Sequence, residues 1–107
     1  MLLGHETPKK YLRSIQRSGL LCSKSKGKLK VVWLHCQTKT GWATLHTVKR
    51  HGGRVEDVAA LEVEVPRGWL RRSRRGHWHS GGKDVPAARI RRLIEFAEVA
   101  ASPVAAA

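Results

Sequence analysis

The clearest pattern of apolar and polar positions lies at residues 58–65, just before Pro66. Its apolar residues Leu61, Val63 and Val65 recur at every second position, and a glutamate stands in each gap. Alternation with period two is typical of a strand that buries one face and exposes the other to water. The pattern predicts a strand inside a sheet, and the other elements are placed relative to it.

A first helix is predicted after a short apolar run at residues 1–5. Thr7 followed by Pro8 has the form of an N-cap and a first helical residue, because proline lacks an N–H that would be unpaired there. Gly19 has the position of a left-handed helix stop. The residues at helical spacing on one face are Tyr11, Leu12 and Ile15.

A second helix is predicted from about Gly41 to Arg50, with Thr38 or Thr40 as its cap and Gly52-Gly53 at its end. Glycine commonly ends a helix because it adopts positive φ without steric cost.

Three further strands are predicted. Residues 31–36 form a short β-branched run, and residues 77–79 alternate as a strand partner for 58–65. Residues 90–96 are interpreted as a last strand, although a helix fits the same apolar positions. Strands mixed with two short helices predict an α+β fold with a small split antiparallel or mixed sheet.

The length of 107 residues suits a single domain, placed at residues 1–99. The alanine-rich end at residues 100–107 is expected to be a frayed tail.

The net charge of the chain is the property that says most about its partners. The chain has 21 Lys and Arg against 8 Asp and Glu, a net charge of +13. Residues 1–54 hold twelve of the basic residues and one acid, so the positive field is concentrated in the first half. Excess charge can serve solubility alone, but this asymmetry favours a polyanionic partner. Nucleic acid is expected, RNA rather than DNA, ahead of an anionic membrane surface.

Two basic segments are candidate nucleic-acid contacts. The loop at residues 22–30 is interpreted either as a mobile, solvated segment or as an arm whose lysines neutralise successive backbone phosphates. The segment at residues 67–75 combines arginine forks, which pair with phosphate, and an indole that can stack on a base. The candidate residues are Lys24, Lys26, Lys28, Lys30, Arg67, Trp69, Arg71, Arg72, Arg74 and Arg75.

Cys22 and Cys36 lack the close spacing of a zinc site, so no metal is expected. No cationic-then-apolar leader and no membrane-length apolar run occur in the sequence. These features predict a cytoplasmic protein with reduced thiols.

The order of several motifs resembles the NAD-binding half of the RNA 2′-phosphotransferase family, which has the ADP-ribosyltransferase fold. The similarity covers roughly residues 4–90, and the order and spacing of the motifs carry it. The motifs are His5-Glu6-Thr7, Ser18-Gly19-Leu20, Val31-Val32-Trp33-Leu34, Arg50-His51-Gly52, Leu61–Val65, Gly76-His77-Trp78 and Asp84-Val85-Pro86.

The resemblance implies a split sheet that binds NAD in a cleft. Carried over by position, His5 and Thr7 hold the cofactor, Trp33 stacks on the nicotinamide, and His46 or Arg50 meets phosphate. An indole face attracts a cationic pyridinium ring, and a guanidinium suits a pyrophosphate.

The chain departs from the family pattern at three points. Glu6 replaces a glycine, Trp33 replaces a histidine, and the segment 76–79 lacks the carboxylate of protein-modifying relatives. No catalytic residue is therefore assigned.

Three functions are open at this level. The first is an NAD-dependent transferase acting on nucleic-acid ends or phosphates. The second is a non-catalytic RNA- or DNA-binding subunit of a nucleoprotein complex, and Trp33 is then a core residue. The third is an inhibitor that binds an acidic protein.

Overall fold

The structure is a computed structural model of the chain, and it describes residues 1–26, 28–36 and 40–94. Eight helices and strands follow each other in these residues, with short 3-10 turns between several of them. They are β1 (Leu2–Pro8), α1 (Leu12–Ser18), β2 (Trp33–Leu34), α2 (Thr40–His51), β3 (Val58–Glu64), β4 (Arg71–Arg72), β5 (Trp78–His79) and β6 (Ile90–Ile94).

The strands form two antiparallel sheets of three strands each. The first has the order β1-β3-β6, and the second has the order β2-β5-β4. A bridge between Gly4 and His35 joins the sheets, with N···O distances of 2.8 and 3.1 Å. The predicted α+β class with a split arrangement of strands and two helices is confirmed at this level.

The 58–65 pattern forms the central strand of the first sheet, as predicted. Its alternate apolar side chains are buried. The glutamates between them pair with arginines of β6, Glu62 with Arg92 at 2.7 Å and Glu64 with Arg91 at 2.6 Å. Such partly solvated pairs contribute at most about 1 kcal/mol each, so burial of the apolar face is what stabilises the strand.

One apolar cluster connects the two sheets and α1. Leu20 reaches it through a bridge to Val85 directly after the glycine that ends α1. Leu12 and Ile15 of α1 pack against the cluster from one side. Its buried members are Leu3, Leu20, Cys22, Val32, Leu34, Leu61, Val63, Val65, Leu70 and Val85.

The predicted start of the first helix is wrong. Thr7 does not cap a helix but lies in β1, where it pairs with Ala59, and α1 begins only after a 3-10 turn at Lys9–Tyr11. The residue before a proline disfavours the helical region, so Thr7 stays extended. The predicted end of the helix at Gly19 is confirmed, but its conformation differs from the left-handed stop, since φ is 77° and ψ is −166°.

The predicted pairing of residues 77–79 with the central strand is also wrong. β5 lies between β2 and β4, with Trp33 opposite His79 and Arg72 opposite Trp78. Both edges of β3 are occupied, by β1 and β6, so no edge is left for a further partner.

The other predicted elements differ less from those in the structure. The run 31–36 is regular only at β2, because its partner β5 has just two residues. The segment 67–75 is not a plain loop, since it holds a 3-10 turn and β4. Residues 90–94 form a strand, which excludes the helix alternative for them. Thr38, residues 95–96 and the tail at 100–107 lie outside the described residues.

No helix in the described part of the chain is long and apolar enough to span a lipid bilayer.

Candidate functional site

The two sheets separate immediately beside the Gly4–His35 bridge. In an antiparallel strand, the N–H and C=O groups of alternate residues point to the same edge. Gly4 bonds His35 on the edge of β1 away from β3, so the main-chain groups of Glu6 point to that edge as well. Met1 and Val65 bond each other on the opposite edge, which confirms this register.

If the antiparallel pairing of β1 with the β2 segment continued past the Gly4–His35 bridge, Trp33 would lie opposite Glu6. Trp33 pairs with His79 on its other side instead, and no backbone hydrogen bond between Trp33 and Glu6 is present in the described residues. The main-chain groups of Glu6 therefore face the opening between the sheets. We call this place the sheet opening, bounded by Glu6 and Trp33.

His5 closes one side of the sheet opening. Its Nδ1 lies 2.7 Å from the main-chain oxygen of Trp33. A carbonyl oxygen only accepts, so Nδ1 carries the proton and donates it. Burial lowers the pKa of His5, the hydrogen bond to Trp33 opposes this in part, and the nearby His35 has a smaller lowering effect. The neutral ring therefore keeps an unprotonated Nε2 that can accept a hydrogen bond or a proton.

The ring of Trp33 is half-buried and held from the side. It meets the His79 ring edge-on, with centroids 5.3 Å apart and planes at 74°. His79 is in turn oriented by Gly81, whose main-chain N–H donates to its Nδ1 at 3.0 Å. Two predicted cofactor residues, His5 and Trp33, are thus in direct contact, and buried Thr7 follows on the same strand.

A buried acid and a histidine lie next to the sheet opening. The side chain of Glu6 is only 2% exposed, and its Oε2 contacts Nε2 of His35. Nδ1 of His35 donates to the oxygen of Cys36 at 2.7 Å, so Nε2 and Oε2 share one proton and the pair is neutral overall. Burial raises the pKa of Glu6, opposed by the hydrogen bond to His35. Oε1 of Glu6 has no hydrogen-bond partner among the described residues.

Gly4 makes room for this pair. A Cβ added at Gly4 would collide with Cε1 of His35 and lie 2.7 Å from its Nε2. The imidazole therefore lies flat over the glycine, which places it against Glu6 two residues along the strand.

The histidines around the sheet opening predict a pH-dependent stability. Burial lowers the pKa of His79 and His5 in the folded protein, so the unfolded chain binds protons more readily. Stability is therefore complete above the unfolded value of about 6.5 and is lost as pH falls below it. We expect urea denaturation to give a lower free energy of unfolding at about pH 5.5 than at about pH 7.5.

His79→Asn is the matched variant for this pH series. Its amide oxygen can accept from the Gly81 N–H as Nδ1 does, but it does not titrate. The pH dependence should become shallower in this variant. An unchanged slope would show that His79 does not contribute to it.

The other two predicted cofactor residues lie elsewhere. His46 and Arg50 are exposed on α2, whose buried residues Ala43, Thr44 and Thr47 are those that face the protein. His46 stacks on Trp42 instead. The structure thus brings together His5, Thr7 and Trp33, but it gives His46 and Arg50 a separate surface.

The predicted nucleic-acid residues are spread over the exposed surface. All four lysines of the 22–30 loop are exposed, as are the five arginines of the 67–75 segment. Arg71 bonds the main-chain oxygens of Gly68 and Leu70, both at 2.9 Å, and Arg72 lies 4.2 Å from the centroid of the Trp78 ring.

Trp69 is half-buried and packs against the apolar cluster. The guanidinium of Arg89 lies 5.0 Å from its ring centroid, and Lys83 lies 5.9 Å away. Cations of the chain itself thus already lie over this indole.

The contact between the side chains of Glu6 and His35 is not predicted from the sequence. From the sequence, Glu6 is only a departure from the family's glycine, and His35 has no predicted role. The available signal was a carboxylate directly after the apolar run at residues 1–5, because such a group is buried only with a partner.

A comparison with protein-family models found no matching family, and a comparison with curated proteins found no match either.

Proposed function

We propose that the protein is an NAD-dependent transferase with an ADP-ribosyltransferase-like fold, which acts on nucleic-acid ends or phosphates. One observation carries the proposal: the two sheets diverge after the Gly4–His35 bridge and leave the main chain of Glu6 facing Trp33 across the sheet opening. A strand edge without a partner strand offers a donor and an acceptor side by side.

The chemistry of these groups fits the nicotinamide part of NAD. A primary carboxamide has one acceptor and two donors, which match the main-chain N–H and C=O of Glu6. The half-buried indole of Trp33 suits a cationic pyridinium ring. Bound NAD supplies an ADP-ribosyl group that is activated for transfer.

The chain's own residues have definite roles in this proposal. His5 is held neutral by burial, and its Nε2 can accept a proton from a hydroxyl of the acceptor or the cofactor. Thr7 is buried two residues further along β1, where it pairs with Ala59. A phosphate role for His46 or Arg50 remains a prediction of the resemblance, and no described contact links them to the sheet opening.

Calorimetric titration of NAD at moderate salt tests the proposal. The unmodified protein should bind, and Trp33→Ala should weaken binding about tenfold, since a cation–π contact contributes about 1 to 2 kcal/mol. Tyr11→Ala is the matched control, because Tyr11 is an exposed aromatic residue in the 3-10 turn before α1 and should leave NAD affinity unchanged. No heat and no change in melting temperature at millimolar NAD would contradict the cofactor site.

A non-catalytic RNA- or DNA-binding subunit of a nucleoprotein complex is the second candidate. The exposure of the nine predicted basic side chains favours it, since a solvated cation can neutralise a phosphate without rearrangement. It requires an affinity that falls steeply with salt and does not respond to NAD. We propose the cytoplasm as the compartment for either function, because Cys22 and Cys36 are both free thiols.

A further inference from the structure

Three aromatic rings lie nearly parallel to one another on the surface. The Trp42 and His46 centroids are 5.3 Å apart with planes at 12°, and the Trp42 and His77 centroids are 5.5 Å apart with planes at 10°. Trp42 and His46 belong to α2, whereas His77 precedes β5. We call Trp42, His46 and His77 the ring stack.

The ring stack is not part of the core. Trp42 is 45% exposed, and both histidines are exposed as well. α2 packs against β1 and β3 with its small residues Ala43, Thr44 and Thr47 buried. An indole left this exposed forgoes nearly half of the stabilisation that its burial would supply, so packing of the fold does not fully explain its position.

Positive charge surrounds the ring stack. Burial, followed by the charges of Arg50, Lys49 and His77, lowers the pKa of His46, so this ring is neutral at neutral pH while fixed cations lie near it. On the other side, His77 follows an exposed turn that carries Arg74 and Arg75. Aromatic rings beside guanidinium and ammonium groups are the combination that binds single-stranded nucleic acid.

We propose that the ring stack binds bases of single-stranded nucleic acid, while Lys49, Arg50, Arg74 and Arg75 neutralise the adjacent phosphates. Bases of a duplex are already stacked on each other, so their faces are not available to such a surface. The inference rests on the nucleic-acid partner of the proposed function, but it is independent of the NAD site. Base stacking is predicted from the sequence for Trp69, but Trp69 is half-buried against the apolar cluster, whereas Trp42 is 45% exposed.

The test measures fluorescence anisotropy of a labelled single-stranded RNA of about ten nucleotides, and of DNA with the same sequence, at moderate salt. Trp42→Ala should weaken binding about 5- to 100-fold, the range for loss of one aromatic stacking partner. Trp42→Phe should retain most of the affinity. Leu45→Ala is the matched control, since Leu45 is 61% exposed on the same helix but outside the ring stack.

Salt and a second polyanion separate stacking from simple charge attraction. The salt dependence of binding should be the same for Trp42→Ala and the unmodified protein, because no charge is removed. Inorganic polyphosphate, which has no bases, should bind both proteins equally.

Two outcomes would overturn the inference. Oligonucleotide binding that survives Trp42→Ala unchanged would refute the ring stack and leave a nucleic-acid partner in place. Absence of any oligonucleotide binding by the unmodified protein would refute the partner as well. Preference between RNA and DNA identifies which nucleic acid is bound.

Discussion

His35→Ala is expected to destabilise the fold by about 3 to 5 kcal/mol, the usual cost of removing one partner from a buried pair of ionisable groups. The substitution leaves the carboxyl of Glu6, which is 2% exposed, without its described partner. It also removes the ring that lies over Gly4 beside the bridge between the sheets. Urea denaturation at about pH 7 measures the loss.

Two features distinguish an unpaired acid from a simple cavity. Burial raises the pKa of Glu6, so in the variant the folded state binds a proton more readily than the unfolded state. The loss relative to the unmodified protein at the same pH should therefore shrink as pH falls toward about 4.5. The double variant Glu6→Met with His35→Leu should recover most of the loss, because it removes both polar groups. A loss that is independent of pH and persists in the double variant would contradict the pair.

Gly19→Ala is expected to cost on the order of 3 kcal/mol. Gly19 has φ 77° and ψ −166°, a region that only glycine adopts without strain. A Cβ there would collide with the main-chain oxygen of Val85 and lie 2.8 Å from the nitrogen of Ala87. These are backbone atoms next to the Leu20–Val85 bridge, so they cannot move aside as a flexible side chain does.

Gly68→Ala is the matched control for this substitution. Gly68 has no positive φ, and nothing lies within 4 Å of an added Cβ. Its melting temperature should stay close to that of the unmodified protein. Equal effects of the two substitutions would contradict the assigned geometry at Gly19.

Local signals predicted much of the fold. The period-two pattern located β3 because one face of that strand packs against the core and the other meets arginines and water. Gly19 marked the end of α1, and Gly52 and Gly53 follow the end of α2, all three at positive φ. Such features depend on a few consecutive residues, so the sequence alone displays them.

Pairing between distant segments was not predictable in the same way. β5 has only two residues, and its alternation fits any antiparallel partner. The choice of β2 follows from occupied edges elsewhere in the fold, which no short window of sequence contains. The contact of Glu6 with His35 likewise spans 29 positions.

The face of α2 that packs against the protein was also not predictable from the sequence. Trp42 and Leu45 are its large apolar residues, yet both are exposed, and Ala43, Thr44 and Thr47 are buried instead. Small side chains let a helix approach a sheet closely, so size rather than hydrophobicity decided which face is buried. For the same reason the ring stack, which needs Trp42 on the surface, had no sequence signal.

Amide chemical shifts of the ¹⁵N-labelled protein during titration with NAD test most directly whether the sheet opening holds the cofactor. The largest changes should occur at Glu6, Trp33 and His35, because their main-chain groups lie at the place where β1 and β2 separate. Shifts confined to the ring stack or to the lysines of the 22–30 loop, or no shifts at all, would contradict a cofactor site there.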